Sequence, residues 1–198
     1  MSRPDKQHEI VSAALELIAK RGFHRTPMSM IAARAGVAAG TIYCYFKSKD
    51  ELIHEIYVAI EKRIRAVLNE GDVLKKTHKG RFLHIGAEIL RYFIAFPQDF
   101  RFLEQFHNSP FGVAYRRDNL LGNPASGSYI FKELFENDAS QQTLKKLPIS
   151  ILFALFVGPL LLVARETILG FIELDEPTIC RIVEACWDAV NSNSIDSP

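Results

Sequence analysis

The sequence predicts an all-α protein: a small helix-turn-helix domain over residues 1–48, followed by a larger helical bundle over residues 49–198. Two observations carry this. Apolar residues recur at i, i+3, i+4 and i+7 in almost every segment, the spacing of one helix face. Residues 26–52, TPMSMIAARAGVAAGTIYCYFKSKDEL, read as a helix, a tight turn at Gly36, a second short helix and the capped start of a third.

The elements follow in order. A first helix over about 4–20 puts Ile10, Ala14, Leu17 and Ile18 on one face, with Pro4 near its start. Gly22 ends it and Phe23 packs underneath. Thr26-Pro27 opens the second helix, Thr as cap and Pro at the first helical position. Met28, Ile31 and Ala35 point inward from it. Gly36 supplies the positive φ of a tight exit. The next short helix, over about 38–46, is anchored by Ile42 and Phe46, four residues apart.

Ser48 and Glu51 form a capping box. It opens a long helix to about residue 69, with Leu52, Ile56, Ile60, Ile64 and Leu68 in register. This helix leaves the first domain and enters the second, so it is the mechanical link between them. Residues 71–80 form a loop with glycine at both ends. Helices are expected over 80–96, stopping at Pro97, and over 97–107. Pro110, Gly112, Gly122, Pro124 and Gly127 predict an irregular stretch over 108–128. Helices over 127–137, 147–170 and 175–193 complete the chain, and the last residues, SNSIDSP, should fray.

Composition narrows the function classes. At 48% hydrophobic the chain has material for a substantial core. Its net charge is only +1, but residues 1–47 hold seven basic and three acidic residues, +4, and the remainder carries −3. A basic front end on an otherwise acidic chain suits local phosphate contact. Cys44, Cys180 and Cys186 have no paired spacing, which suggests a reducing cytoplasm. The polar start MSRPDKQHEI is not a signal peptide. The six His are scattered, and no HExxH, GxSxG or phosphate-cradling glycine loop is present. No catalytic residue, metal site or cofactor is therefore expected.

A second helix held across the first by a glycine turn is the arrangement that enters the DNA major groove. The expected partner is double-stranded operator DNA. Segment 8–57 resembles the TetR family of bacterial transcriptional regulators. The resemblance rests on Ile31-Ala32, Ala35-Gly36-Val37, Gly40-Thr41-Ile42-Tyr43, Tyr45-Phe46, Lys49 and Leu52. Beyond residue 60 it is architectural only. It implies an amino-terminal operator-binding domain and a carboxy-terminal part that dimerises and holds a small molecule. It also puts Tyr43 at the family's phosphate-contacting tyrosine, Lys49 at the basic residue opening the long helix, and Thr26 at the cap beside the DNA backbone.

The residues read as facing DNA are Arg25, Thr26, Ala39, Thr41, Tyr43, Tyr45, Lys47 and Lys49. Most contacts should go to phosphates. Ala38-Ala39 departs from the resembling family, where a polar cap and a basic residue are frequent. The short helix thus lacks Arg, Asn and Gln, the side chains suited to bidentate base reading. Direct readout falls to Thr41, to contact of Ala39 with thymine methyls and to Cys44, with DNA shape contributing. Cys44 itself reads as an inert small residue, since no neighbour in sequence marks a lowered pKa.

The helix over 80–96 is apolar except for His84, Glu88 and Arg91, which form one stripe. Two readings stand: a solvated stripe with a Glu88–Arg91 ion pair, or a polar line facing a cavity in a central helix. The resembling family lines its ligand pocket with this helix. A small, mainly apolar effector is accordingly expected near Tyr92, Phe93, Phe96 and Phe106, oriented by His84, Glu88, Arg91, Gln105 or His107. Residues 147–164, LPISILFALFVGPLLLVA, are uncharged and touch the lower length limit of a membrane span. Pro148, Ser150 and Gly158-Pro159 weaken that reading. A helix buried inside the domain and against a partner subunit is the better account, and the resemblance implies a homodimer through the last two long helices. Gly158 and Ala164 would allow close approach, and Trp187 packs there or against the first helix of the effector domain. Fold and composition together imply a cytoplasmic protein without a membrane partner.

Overall fold

A computed structural model describes residues 3–70, 77–120, 134–135 and 143–192. Among the described residues the elements are α1 (Arg3–Arg21), α2 (Met28–Arg34), α3 (Ala39–Ile42), α4 (Lys49–Leu68), α5 (His78–Ala95), α6 (Pro97–His107), α7 (Pro110–Leu120), α8 (Ile149–Ile168) and α9 (Glu176–Val190). The backbone divides into two compact units. One comprises residues 1–62 and 96–122, the other residues 63–95 and 123–198. The division falls within α4, whereas the domain boundary read from sequence falls at its start.

In the first unit the apolar faces meet as the sequence spacing predicts. Ile10, Ala14, Ile18, Ile31, Ile42, Leu52 and Ile56 are fully buried. Helix α6 closes this core. Phe102 packs edge-on against Phe23, ring centroids 5.6 Å apart, and Phe106 stacks on Tyr57 at 4.3 Å. Gly22 and Gly36 take φ of 85° and 65°, where only glycine is unstrained.

The second unit is built on Phe82 of α5. Its ring lies 4.9 Å from both Phe156 of α8 and Trp187 of α9, and 5.3 Å from Phe135. Gly86, one turn on, lets the helices approach: a Cβ there would sit 2.7 Å from Val183 Cγ1. Thr77 starts α5, its hydroxyl accepting the Gly80 N–H at 3.1 Å. His78 ties the neighbouring segments together, with ring nitrogens 2.9 Å from the Leu134 carbonyl and 2.9 Å from the Thr143 hydroxyl. Asp175 caps α9 by accepting the Thr178 N–H at 2.9 Å, which holds its carboxyl below the usual range.

Four expectations are corrected. Residues 110–120 are helical, not irregular. Pro110 takes the first helical position and the Ser109 hydroxyl accepts the Gly112 N–H, so the two breakers serve a helix start. Helix α3 is shorter than 38–46, because residues 43–45 continue as a tighter turn with Cys44 and Tyr45 N–H donating three residues back. The α2 cap is Pro27 rather than Thr26. Ala164 lies in the protomer's own core and is fully buried. The expected helix over 127–137 falls almost entirely outside the described residues; Leu134 and Phe135 are buried.

Candidate nucleic-acid interface

The Gly36 turn and two buried anchors fix how α3 is presented. Ile42 is fully buried and Phe46 is 2% exposed. With that face committed, Ala38, Ala39, Gly40, Tyr43 and Cys44 are turned to solvent, and Thr41 and Tyr45 lie half-buried. Tyr43 is 55% exposed. Arg25 and Lys47 are exposed.

Gly40 differs from Gly36. Its backbone is ordinary helix, and a Cβ there would meet nothing within 4 Å. The Arg34–Glu16 pair, with contacts of 2.6 and 3.4 Å, ties α2 to α1. The Ser48 hydroxyl accepts the Glu51 N–H at 3.1 Å as the capping box requires, while the Glu51 carboxylate accepts the Lys47 N–H at 2.6 Å.

Two residues read as DNA contacts are engaged internally. Thr26 is fully buried, and its hydroxyl donates to the Gly22 carbonyl at 2.9 Å. The Lys49 ammonium donates to the Phe23 carbonyl, and burial holds its pKa below the ordinary lysine value against the opposing effect of Asp50.

The residues read as effector contacts fall in both units. On α5, Arg91 bridges Glu88 at 2.5 Å and Glu176 of α9 at 2.6 Å. The Glu176 hydrogen bonds foremost push the Arg91 guanidinium above its usual range. This part of the stripe is a solvated ion-pair network. His84 differs: its Nε2 is buried and takes no hydrogen bond among the described residues. Tyr92 and Phe93 are buried, and the Tyr92 oxygen accepts from Arg63 Nε at 3.3 Å.

On α6, Phe96 is 49% exposed and caps the helix. Gln105 donates to the Ile18 carbonyl at 3.1 Å. Phe106 and His107 pack on Tyr57. Sequence reasoning missed a polar knot in this unit. Glu61 accepts from both Tyr57 and Tyr115, the latter at 3.3 Å, and burial followed by Glu61 pushes the Tyr57 hydroxyl above its usual range. The i, i+4 spacing of Tyr57 and Glu61 was the available signal.

An exposed short helix behind a glycine turn, braced by a basic amino-terminal unit, defines a DNA-binding protein of the helix-turn-helix class. Comparison with known proteins makes this specific. The profile described as "Bacterial regulatory proteins, tetR family" matches residues 10–56, and "Tetracyclin repressor-like, C-terminal domain" matches residues 78–191. The chain belongs to the TetR family of bacterial transcriptional regulators. It is 27% identical over 197 residues to an uncharacterised helix-turn-helix-type transcriptional regulator of Haemophilus influenzae, covering 96% of this chain and 97% of that one.

A solved TetR-family regulator from H. influenzae superposes with TM-score 0.80 at 24% identity, covering 96% of this chain and 98% of the other. One from Vibrio parahaemolyticus gives TM-score 0.75 at 28% identity, with coverage of 95% and 99%. The Bacillus subtilis fatty acid metabolism regulator is 46% identical over 52 residues, 26% of this chain and 27% of that protein. The protein is a DNA-binding transcriptional regulator and not an enzyme.

Proposed function

We propose that the protein is a homodimeric repressor whose two α3 helices enter successive major grooves of operator DNA, and that a small, mainly apolar ligand releases it. The observation that carries the DNA half is the outward face of α3, held by Ile42 and Phe46 and exposed at Ala39, Gly40 and Tyr43. Arg25, Tyr43, Tyr45, Lys47 and the remaining donors of Lys49 contact phosphates. Thr41 and Ala39 read bases, and Thr26 acts from within by holding the loop that carries Arg25.

The dimer reading draws on α8. Ile149, Ile151, Phe153, Leu155 and Leu162 are exposed along it, with Leu169 and Phe171 beyond its end. Ile151, Leu155 and Leu162 share one face of the helix, an exposed apolar line that suits docking, and a second copy packing α8 and α9 against their counterparts would cover it. In this division residues 1–48 bind DNA, while residues 49–198 dimerise and sense a ligand in the cytoplasm. The ligand half is supported by the buried Nε2 of His84, which has no hydrogen-bond partner among the described residues and lies on an otherwise apolar helix. The B. subtilis match spans only the helix-turn-helix segment, so fatty-acid control is not carried over to this chain.

Light scattering and duplex titration test the whole. A dimer is expected that retains duplexes enriched from a random-sequence pool, with recognition helices spaced by roughly 34–36 Å or a multiple. A monomer at micromolar concentration would refute the dimer. Failure to enrich any duplex would refute operator binding. A thermal-shift screen with apolar compounds, compared in wild type and His84→Leu, tests the ligand. No stabilised hit in wild type leaves a regulator that works without one, or an activator, and removes the release mechanism.

A further inference from the structure

We propose that Gln105 is a positioning residue for DNA binding: from α6, its amide clasps the carbonyl end of α1 and sets the seat of the helix-turn-helix. The inference rests on the DNA-binding reading.

A helix C-terminus leaves up to four backbone carbonyls without intrahelical partners and concentrates partial negative charge there. At the end of α1 the Gly22 N–H satisfies one of them, donating to the Ile18 carbonyl at 2.8 Å. Three side chains from three different elements meet the same end. Thr26, in the α1–α2 loop, donates to the Gly22 carbonyl. Lys49, the first residue of α4, donates to the Phe23 carbonyl. Gln105, on α6, donates to the Ile18 carbonyl at 3.1 Å and more weakly to that of Ala19 at 3.5 Å.

Carbonyls only accept, so the NH2 end of the Gln105 amide must face them. Its Oε1 lies 3.5 Å from where a Gly22 Cβ would be, an ordinary contact, so it is the φ of 85° and not the amide that requires glycine at this turn.

Thr26 and Lys49 belong to the segment that presents α3, whereas Gln105 comes from outside it. Its neighbours on α6 brace the same helices. Phe102 packs on Phe23 at the end of α1, and Phe106 stacks on Tyr57 of α4. Aromatic contacts hold α6 close but tolerate sliding and rotation; hydrogen bonds to specific carbonyls fix its register. The end of α1 leads directly through Gly22 and Phe23 to Arg25 and to α2. An altered seat for α6 therefore changes where Arg25 and α3 stand without removing any DNA contact. Gln105 reads in sequence as an effector contact, but its donors are already used at this clasp.

The test replaces the amide by a group of similar length that cannot donate, Gln105→Met, and by one that can, Gln105→Lys. The probe is a duplex enriched by the wild-type protein from a random-sequence pool, titrated at several salt concentrations and scaled to the folded, binding-competent fraction. Gln105→Met is expected to bind about 10-fold more weakly with an unchanged slope of log affinity against log salt, since no phosphate contact is lost. Gln105→Lys should restore affinity with that same slope; a new phosphate contact would instead steepen it by about one.

Wild-type affinity in Gln105→Met overturns the proposal. A slope shallower by about one in Gln105→Met also overturns it, by making Gln105 a phosphate contact. If Gln105→Met does not fold, Gln105→Glu, which turns a carboxylate onto the carbonyls, takes its place with the same expectation. Loss of folding in both makes the residue a stability element and not a positioning one. A wild-type protein that enriches no duplex fails the DNA reading itself, a result distinct from these.

Discussion

A single methyl group at Gly40 should stabilise the protein and weaken its binding to DNA. Gly40 lies inside α3 with ordinary helical backbone, and an added Cβ has no neighbour within 4 Å. Nothing internal requires glycine there. Glycine within a helix costs roughly 0.5–1 kcal/mol relative to alanine, so Gly40→Ala should recover about that much. For a chain of this size that raises the melting temperature by roughly 1–4 °C. Yet Gly40 is exposed on the face proposed to enter the major groove, where a bare backbone would permit the closest approach. A methyl there holds the helix off, and a 10-fold weaker Kd corresponds to about 1.4 kcal/mol.

Gly36→Ala is the contrast. It too has open space, but its φ of 65° strains any other residue, so stability should fall by about 1–2 kcal/mol. Thermal unfolding followed by circular dichroism and duplex titration by fluorescence anisotropy at fixed salt give the two readouts. Gly40→Ala with undiminished affinity would show that DNA does not come close at this residue. A lowered melting temperature would show that the backbone argument is wrong.

Three further outcomes are expected. Gly112→Ala should be the most damaging glycine substitution, costing about 3 kcal/mol or more, because its Cβ would lie 2.0 Å from the Phe106 carbonyl and backbone cannot yield as a side chain can; a denaturant midpoint within error of wild type would contradict this. Tyr43→Phe should weaken binding about equally on all duplexes, whereas Thr41→Ala should change which sequences are enriched from a random pool, and the reverse pattern would exchange their roles. In alkylation followed by mass spectrometry, exposed Cys44 should react at neutral pH and be protected by bound duplex. Cys186, buried and with its thiol pushed up to about 11, should stay unmodified until the protein unfolds; rapid native modification of Cys186 would contradict its burial.

Much of the first unit was legible because each of its signals is local. The Ser48–Glu51 box, the positive φ at Gly36 and the apolar register of α4 follow from spacings of a few residues, and the structure contains all three. What the sequence concealed is where polar side chains end up. Thr26 stands where a cap belongs, but its hydroxyl donates back to the Gly22 carbonyl at the end of α1, and Pro27 takes the cap position. Gln105 lies 87 residues from the carbonyl it meets, and no pattern in a single chain announces such a pairing. Pro110 and Gly112 read as breakers, since the same residues that interrupt helices also begin them and admit close contacts.

Helix α8 shows the limit of periodicity most directly. An uncharged stretch has no polar face to orient it: Pro148, Ser150 and Gly158-Pro159 in residues 147–164 count against a membrane span, but composition does not say which face is buried and which is shared between subunits. Burial separates the faces that composition cannot. Leu152, Phe156, Val157, Leu160 and Ala164 face the protomer's core, while Ile149, Ile151, Phe153, Leu155 and Leu162 do not. Only 28% of the most apolar window is buried, so a helix serving this core alone would leave most of that surface in water. The inward face belongs to a folded domain matched over residues 78–191 by a regulator's carboxy-terminal profile. The proposed homodimer covers the outward face with a second copy, and it predicts a definite result. Replacing exposed Ile151 and Leu155 by Glu should yield a folded monomer that binds duplex far more weakly, because two half-sites are then no longer engaged together. A dimer that survives both charges would place the partner elsewhere and leave the apolar strip unexplained.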